Sequence, residues 1–309
     1  MTVADGSQVR LADVSETTIG TTPATPTFQV MRYVTSDVKL SKQTDVPNEV
    51  RADRNVSTIT DVGRSVTGTI NTLLSYGTFD TWLERLFCSS WSTDVLKNGI
   101  TPKTATLEQF FEQGATDTFI RYQGVRWNTL DLTLTARQSV QANWGIMGIR
   151  SPTPTSAIIT GATYTDATTS PVFNAGLNVG SLGLTGVTAS PKMQKLTMRI
   201  NNNIYQNDVV GSYEPYGHGL GRFEVTGTMT TYFEDLYTYQ AILDHSDVAL
   251  DFTLEDANSK SYAFSLPKLK LLDGGPTGVG NGQPVLLDVP FQAYYDPTSA
   301  ASMSITRSG

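Results

Sequence analysis

The sequence predicts a mainly β protein made of two similar units, each with β-strands on both sides of one short α-helix. Gly, Thr and Ser are frequent, charged residues make up only 17% of the chain, and apolar residues occur in short alternating runs. The 309 residues exceed the usual size of one domain. The string Val-Thr-Gly-Thr occurs twice, at 66–69 and at 225–228. These three observations together favour two tandem β units.

The first unit is predicted over residues 35–150, after an N-terminal segment 1–34. That segment contains "GTTPATPT" and lacks strong periodicity, so it predicts an extended arm. In "VKLSKQT" and "RSVTGTINTLL" apolar and polar residues alternate, as they do in strands. "YGTFDTWLERLFCSS" has apolar residues at helical spacing, with Thr78 as its predicted N-cap. Strands resume in "ATLEQFFEQG", "DTFIRYQGVRWNTLDLTLTAR" and "NWGIMGI".

The second unit is predicted over residues 192–297 and repeats this order. A Gly-, Thr- and Pro-containing connector, 151–191, precedes it, and a C-terminal tail, 298–309, follows. "LGRFEVTGTMTTYF" matches "VGRSVTGTINTLL" with one extra residue. "TYFEDLYTYQAILDHS" predicts a helix behind a capping box of Thr231 and Glu234. Because order, element type and motif all recur, we interpret the chain as a duplication; chance repetition of a common β-string is the alternative.

Composition argues against several classes of function. The formal charge is −7 and the pI about 4.9, so the chain has no overall basic character with which to hold nucleic acid. The N-terminus has neither the basic nor the apolar region of a secretory leader. No apolar run approaches the roughly 18–20 residues that a membrane-spanning helix needs. We therefore expect synthesis in a cytoplasm and no membrane partner.

Residues for catalysis are scarce. The only two histidines, His218 and His245, lie in a Gly-rich segment and at the end of the second predicted helix, without ligand or triad spacing. Cys88 lies on the apolar face of the first helix, which predicts a buried small hydrophobic residue. "YGHGLG" and "DGGPTGVGNGQ" lack the Gly-Lys-Ser/Thr of a phosphate loop. We predict no enzyme activity, no catalytic residue, no cofactor and no metal site.

Four arginines flank predicted strands close to acidic residues. We expect interstrand or intersubunit salt bridges from them; a phosphate site is the alternative. The arginines are Arg51, Arg54, Arg64 and Arg222, and the nearby acids are Asp53, Asp61 and Glu224.

Gly68 and Gly227 lie inside the two copies of the repeated strand. Glycine weakens a strand interior and often marks a bulge, a bend or close approach by another backbone. A bend that occurs twice predicts curved sheets that help to close a barrel, which need not be made by one chain.

The residues described so far resemble one family. The strings "NEVRADRNV", "GRSVTGTINTLLSYGTFDTWLERLF", "SPVFNAG", "GLGRFEVTGTMTTYFED" and "VLLDVPFQAYYD" span most of the chain. Together they resemble the major tail tube proteins of long-tailed bacteriophages. The resemblance implies a β-sandwich or barrel flanked by one helix, oligomeric rings, and stacking of rings into the tube of the virion tail. This chain departs from simpler members by carrying the unit twice.

The resemblance also implies partners. If relatives with one unit form sixfold rings, two fused units predict a homotrimer with pseudo-sixfold symmetry. A homohexamer with the second unit on the outside is the alternative. Further implied partners are the tape-measure, tail terminator and distal tail proteins, and double-stranded DNA that passes through without specific binding. We expect the arm at 1–30 and the loop at 91–103 to become ordered only on assembly.

A conduit for DNA must avoid attraction to phosphates, so we expect an acidic or neutral bore. The candidate residues for this lining, or for subunit interfaces, are Glu49, Asp53, Asp61, Glu224 and Asp288.

A second function remains open from the sequence. A soluble β-sandwich that binds carbohydrate on a surface would use exposed aromatic side chains. The candidates are Trp82, Trp91, Trp127, Trp144 and Tyr216.

Overall fold

The structure, a computed structural model, describes residues 3–114, 116–176, 179–276, 278 and 280–309. As predicted, the chain is mainly β, and its described part contains two α-helices, α1 (Asp80–Leu86) and α2 (Tyr237–Leu243), and a 3-10 turn at Gly6–Gln8. The strands are β1 (Arg10–Ser15), β2 (Thr27–Met31), β3 (Thr35–Ser36), β4 (Lys39–Asp45), β5 (Thr60–Leu73), β6 (Val95–Lys97), β7 (Ala105–Phe111), β8 (Thr118–Thr135), β9 (Gln141–Gly148), β10 (Thr163–Thr165), β11 (Val179–Thr185), β12 (Met193–Asn201), β13 (Tyr205–Asn207), β14 (Gly217–Gly219), β15 (Glu224–Tyr232), β16 (Val248–Glu255), β17 (Ser261–Leu271), β18 (Leu286–Ala293) and β19 (Ser304–Ser308).

Eight strands form one continuous antiparallel sheet, which we call the central sheet. Its order is β4, β5, β9, β8, β12, β15, β18, β17. The first four strands come from the first half of the chain and the last four from the second half. They join where β8 pairs with β12, from Thr129 opposite Asn201 to Thr135 opposite Lys195. The two halves therefore share one sheet.

The two halves use their strands in the same order. Gly68 of β5 lies opposite Ile146 of β9, and Gly227 of β15 lies opposite Phe291 of β18. In each half a short helix follows the glycine-containing strand, and a long hairpin, β7–β8 or β16–β17, follows the helix. This correspondence supports our proposal of two duplicated units, and their boundaries, 35–150 and 192–297, stay a prediction.

The packed face of the central sheet holds large aromatic side chains. The ring of Trp82 on α1 lies 5.3 Å from that of Trp127 and 5.4 Å from that of Trp144, and all three side chains are fully buried. In the second half Phe252 and Phe264 stack at 4.7 Å. Burial of such side chains supplies most of the favourable free energy of folding.

A buried ion pair fastens β1 to α1. Arg85 Nη1 lies 2.5 Å from Asp13 Oδ2, and both side chains are almost wholly buried. Trp82 Nε1 donates to Asp13 Oδ1 at 3.0 Å, and Arg85 Nη2 donates to the Ser15 hydroxyl at 2.9 Å. The Arg85 guanidinium also lies 4.6 Å from the centre of the Trp127 ring. Each charge is thus compensated by hydrogen bonds, which a buried pair requires.

The segment 1–34 is not an extended arm. β1 pairs with β7 over six residues and with β2 over three, and Leu11, Phe28 and Met31 are buried. Pairing and burial therefore order this segment within the single chain, and the expectation that 1–30 orders only on assembly is wrong.

The loop 91–103 and the C-terminal tail also have structure within the chain. β19 pairs on one side with β17 and on the other with β6, which lies inside the loop. The expectation that this loop orders only on assembly is therefore wrong as well. The connector contributes strands too, since β10 pairs with β2 and β11 pairs with β16.

Both helices begin later than the sequence predicts. The Thr78 hydroxyl forms hydrogen bonds with the hydroxyls of Ser75 and Thr168 and does not cap α1. Thr231 lies within β15, and its hydroxyl donates to the Leu287 carbonyl. At α2 the Asp235 carboxylate accepts from the Tyr237 N–H at 2.9 Å instead.

Replacing Asp13 with alanine leaves Arg85 buried without its carboxylate partner. We expect the free energy of unfolding, measured by urea denaturation, to fall by about 3–5 kcal/mol. The double variant Asp13→Leu/Arg85→Met should recover most of this loss, because an apolar pair carries no desolvation cost. The exposed pair of Arg51 and Asp53 is the control, and Asp53→Ala should cost no more than about 1 kcal/mol. Equal losses for Asp13→Ala and Asp53→Ala would contradict this view.

Candidate bore-lining surface

The central sheet has one packed face and one uncovered face, which we call the polar face. Successive side chains of a strand point to opposite faces. In β15, Val225 and Met229 are buried, whereas Thr226, Thr228 and Thr230 lie on the polar face. The same alternation runs from Thr129 to Thr135 of β8 and from Lys195 to Asn201 of β12. The polar face is consequently rich in threonine, which suits a solvated strand surface.

The strand register places charged side chains of both signs on the polar face, and Lys270, one of the cations, pairs with Asp247 outside the eight strands. Arg199 lies 3.6 Å from Asp131, directly opposite it across the β8–β12 junction. Burial raises the pKa of the Asp131 carboxyl, and Arg199 opposes that shift. The cations are Lys39, Arg126, Lys195, Arg199 and Lys270, of which Arg126 is buried and donates to the His218 carbonyl, and the acids are Asp131, Glu224 and Asp288.

Two of the five acids expected from the sequence lie on the polar face. Asp288 accepts a hydrogen bond of 2.6 Å from the Thr230 hydroxyl, and Glu224 ends the ladder opposite Asn201. Glu49 and Asp53 lie in the exposed loop between β4 and β5, beyond the sheet. The fifth, Asp61, lies at the start of β5.

Sequence reasoning missed Asp131. The signal was present in "LDLTLT", where Leu130, Leu132 and Leu134 alternate with polar residues and are all buried. That pattern places Asp131 on the opposite face of the strand.

Three of the four arginines pair with acids close in sequence. Arg51 lies 2.8 Å from Asp53, Arg64 lies 2.6 Å from Asp61, and Arg222 lies 3.1 Å from Glu224. The fourth, Arg54, lies in the same exposed loop as Arg51, with a left-handed backbone at φ 57°. These three pairs are local rather than interstrand, and intersubunit contacts stay a prediction.

The two repeated glycines allow close approach of a neighbouring strand. A Cβ on Gly68 would lie 2.5 Å from the Cα of Val38. A Cβ on Gly227 would lie closer than 3.0 Å to the Thr197 carbonyl oxygen and to the Phe291 ring. Among a bulge, a bend and close approach by a neighbouring strand, these distances therefore support close approach as the reason for glycine at both positions.

The aromatic residues do not form a sugar-binding platform. Trp82, Trp127 and Trp144 are fully buried, and Trp91 packs partly buried against the core. Of the five candidates, Tyr216 alone has a largely exposed side chain, at 81%. The expectation that these residues are exposed is wrong for the three buried tryptophans, because they fill the packed face.

The titratable residues considered for catalysis lie in unreactive surroundings. Burial, and then the nearby charge of Arg126, lowers the pKa of His218 to about 4, so the ring is neutral at pH 7. Burial raises the pKa of the Cys88 thiol, which disfavours the nucleophilic thiolate. Within the described ranges, no three His, Cys, Asp or Glu side chains are grouped to hold a metal ion. No helix in the same ranges has the length and apolarity to cross a membrane.

A family model described as phage tail tube protein matches residues 6–293. The chain belongs to the phage tail tube protein family. The match covers both halves of this tail tube protein and confirms the resemblance found in the sequence. The family is a structural one of the virion tail and not an enzyme family. A comparison with curated proteins finds no match.

Replacing Gly227 with alanine forces a Cβ against the Thr197 carbonyl and the Phe291 ring. We expect this tail tube protein to lose about 1–3 kcal/mol of unfolding free energy in urea denaturation, because β12 or β18 must shift. Gly217→Ala is the matched control, since nothing lies within 4 Å of its new Cβ. A surface change of that kind should stay within about 0.5 kcal/mol of the unmodified protein. The interpretation fails if the two variants are equally stable.

Proposed function

We propose that this tail tube protein assembles into stacked rings that conduct the phage genome, with the polar face lining the bore. The observation that carries this proposal is the central sheet, which is packed on one face, uncovered on the other, and continuous across both halves of the chain. A sheet of that kind becomes a tube wall when copies join edge to edge.

The shared sheet favours a homotrimer over a homohexamer. Eight strands per chain would give 24 strands in a ring of three. With a strand spacing of about 4.8 Å and a tilt of about 40°, the backbone diameter would be roughly 50 Å, wide enough for a DNA duplex. A hexamer with the second unit outside would require β12 to leave β8, although the two strands pair over seven residues.

The charge balance of the polar face supports a bore that does not retain DNA. Protein cations that neutralise phosphates bind DNA tightly and in a salt-dependent way. Here Arg199 pairs with Asp131 and Lys270 pairs with Asp247, while Arg126 is buried. The two cations that remain, Lys39 and Lys195, are matched in number by Glu224 and Asp288. The genome would then pass without specific contacts.

Exposed apolar side chains at both ends of the central sheet offer surfaces for stacking. β4 and β12 run in the same direction, so the loops 46–59 and 202–223 leave the same end of the sheet. These loops carry nine exposed large apolar side chains: Val46, Val50, Val56, Ile59, Tyr205, Val209, Val210, Tyr213 and Tyr216. At the opposite end, α2 and its flanks expose Phe233, Leu236 and Leu243. We place the ring-to-ring contacts at these two surfaces.

Other virion components follow from the family role. We propose that the tape-measure protein occupies the bore before DNA does, and that the terminator and distal tail proteins meet the two ends of the tube. Synthesis in the host bacterial cytoplasm is part of the same proposal.

Electron microscopy and native mass measurement of assembled rings test the proposed function. We expect three chains per ring and six similar lobes in projection. Six chains per ring with an outer lobe would overturn the trimer, and chains that stay monomeric at every concentration would overturn the tube.

Lysines on the polar face should make the bore retain DNA. In the variant Glu224→Lys/Asp288→Lys we expect normal tubes, because both side chains point away from the core, and slower release of DNA from virions. Release is followed with a DNA-binding dye, and added salt should restore it by screening. Asp251→Lys/Glu255→Lys is the control, since it changes two exposed acids of the outer hairpin β16–β17 by the same total charge. Equal release rates for the two variants would refute a bore at the polar face.

A further inference from the structure

Two segments at the margins of the central sheet have no outer partner among the described strands: the outer side of β4, and the chain beyond Leu269 of β17, where the pairing with β16 ends. β4 pairs with β5 alone. At the other edge, the chain beyond β17 keeps one ladder contact, the Leu272 N–H to the Pro290 carbonyl at 2.9 Å. Such edges present N–H and C=O groups that can pair with another strand. The Val38 carbonyl also accepts a hydrogen bond from the Tyr122 hydroxyl at 3.0 Å.

We propose that residues 38–41 of one copy pair antiparallel with residues 272–275 of a second copy, in the register that joins β12 to β8 inside the chain. The partner is therefore this chain itself. The inference rests on the proposed ring and names the surfaces that close it.

The receiving edge follows from the equivalence of the two halves. Trp127 lies opposite Ile146, and Leu271 lies opposite Phe291, so Leu271 takes the place of Trp127. One ladder position further, Thr129 lies opposite Gly145. The Leu272 N–H donates to the Pro290 carbonyl. Pro290 precedes Phe291 as Gly145 precedes Ile146, so Pro290 takes the place of Gly145. Leu272 therefore takes the place of Thr129.

The incoming edge follows in the same way. Val38 lies against Gly68, as Met198 lies opposite Gly227. Three residues further along each strand, Ser41 takes the place of Asn201. Inside the chain Asn201 lies opposite Thr129. Between copies, Ser41 of one chain should then lie opposite Leu272 of the next.

The lengths of the equivalent strands point to the same pairing. β8 continues as a strand to Thr135, where β12 supports it, whereas β17 ends at Leu271, where none of the described strands takes the place of β12. Leu272 is 52% exposed, an unusual position for leucine beside an open edge. A second copy would extend β17 by the missing ladder and cover this side chain. Pro276 has no N–H and would end the pairing.

A disulfide between copies tests this register. In a Cys88→Ser background, chains with Ser41→Cys/Leu272→Cys are oxidised after ring assembly and run on a non-reducing gel. We expect linked dimers and closed trimers. Thr129→Cys/Asn201→Cys is the positive control, because its disulfide should form within one chain and leave the mass of a monomer. Lys42→Cys/Leu272→Cys is the negative control. Its first cysteine stands one residue further along β4, where the side chain points to the other face of the sheet, so the yield of linked chains should be at least about tenfold lower.

Mixing separates the outcomes. Chains with only Ser41→Cys are combined with chains with only Leu272→Cys, so that neither variant can link to its own kind through this register. Linked dimers support the proposal. Trimeric rings without this link, alongside a working positive control, overturn the edge assignment and leave the proposed function standing. Unmodified chains that form no rings overturn both.

Discussion

The pairing of β8 with β12 is the constraint on which the rest of the structure depends. It buries Leu132 and Met198 on one face and sets Asp131 opposite Arg199 on the other. Because antiparallel ladders fix both spacing and face, this junction forces the two halves to present one packed side and one polar side together.

The contrast between the two helices shows how unequal the halves have become. Trp82, Leu83 and Leu86 of α1 are fully buried beneath the outer strands, and the Asp13–Arg85 pair fastens β1 to them. α2 buries Thr238 and Ala241 but leaves Leu243 exposed. Similar backbones thus carry different outer surfaces. A ring built from them would be sixfold in its wall and threefold outside.

Local sequence signals predicted much of the central sheet and both helices. The alternation in "RSVTGTINTLL" and "FEVTGTMTTYF" is a property of neighbouring residues in one strand, so it can be recognised locally. The structure has β5 and β15 at these two strings. β1 and β19 escaped prediction because their order comes from partners about 95 and 40 residues away in β7 and β17, which no local pattern reveals. The burial of Trp127 and Trp144 was not predicted, because the alternation in "RWNT" and "NWGI" does not show which face of the strand is packed. For the polar face, alternation found Glu224 and Asp288 but could not separate them from acids in the adjoining loop.

The last strand of the chain closes a gap in the first half. β6 gains its ladder from β19, which lies more than 200 residues later in the chain. During synthesis the first half of the chain therefore stays incomplete at this edge until β19 has been made and folds back. Folding at this edge thus has a fixed order, because a chain that lacks β19 leaves β6 unpaired and cannot present its complete surface for assembly.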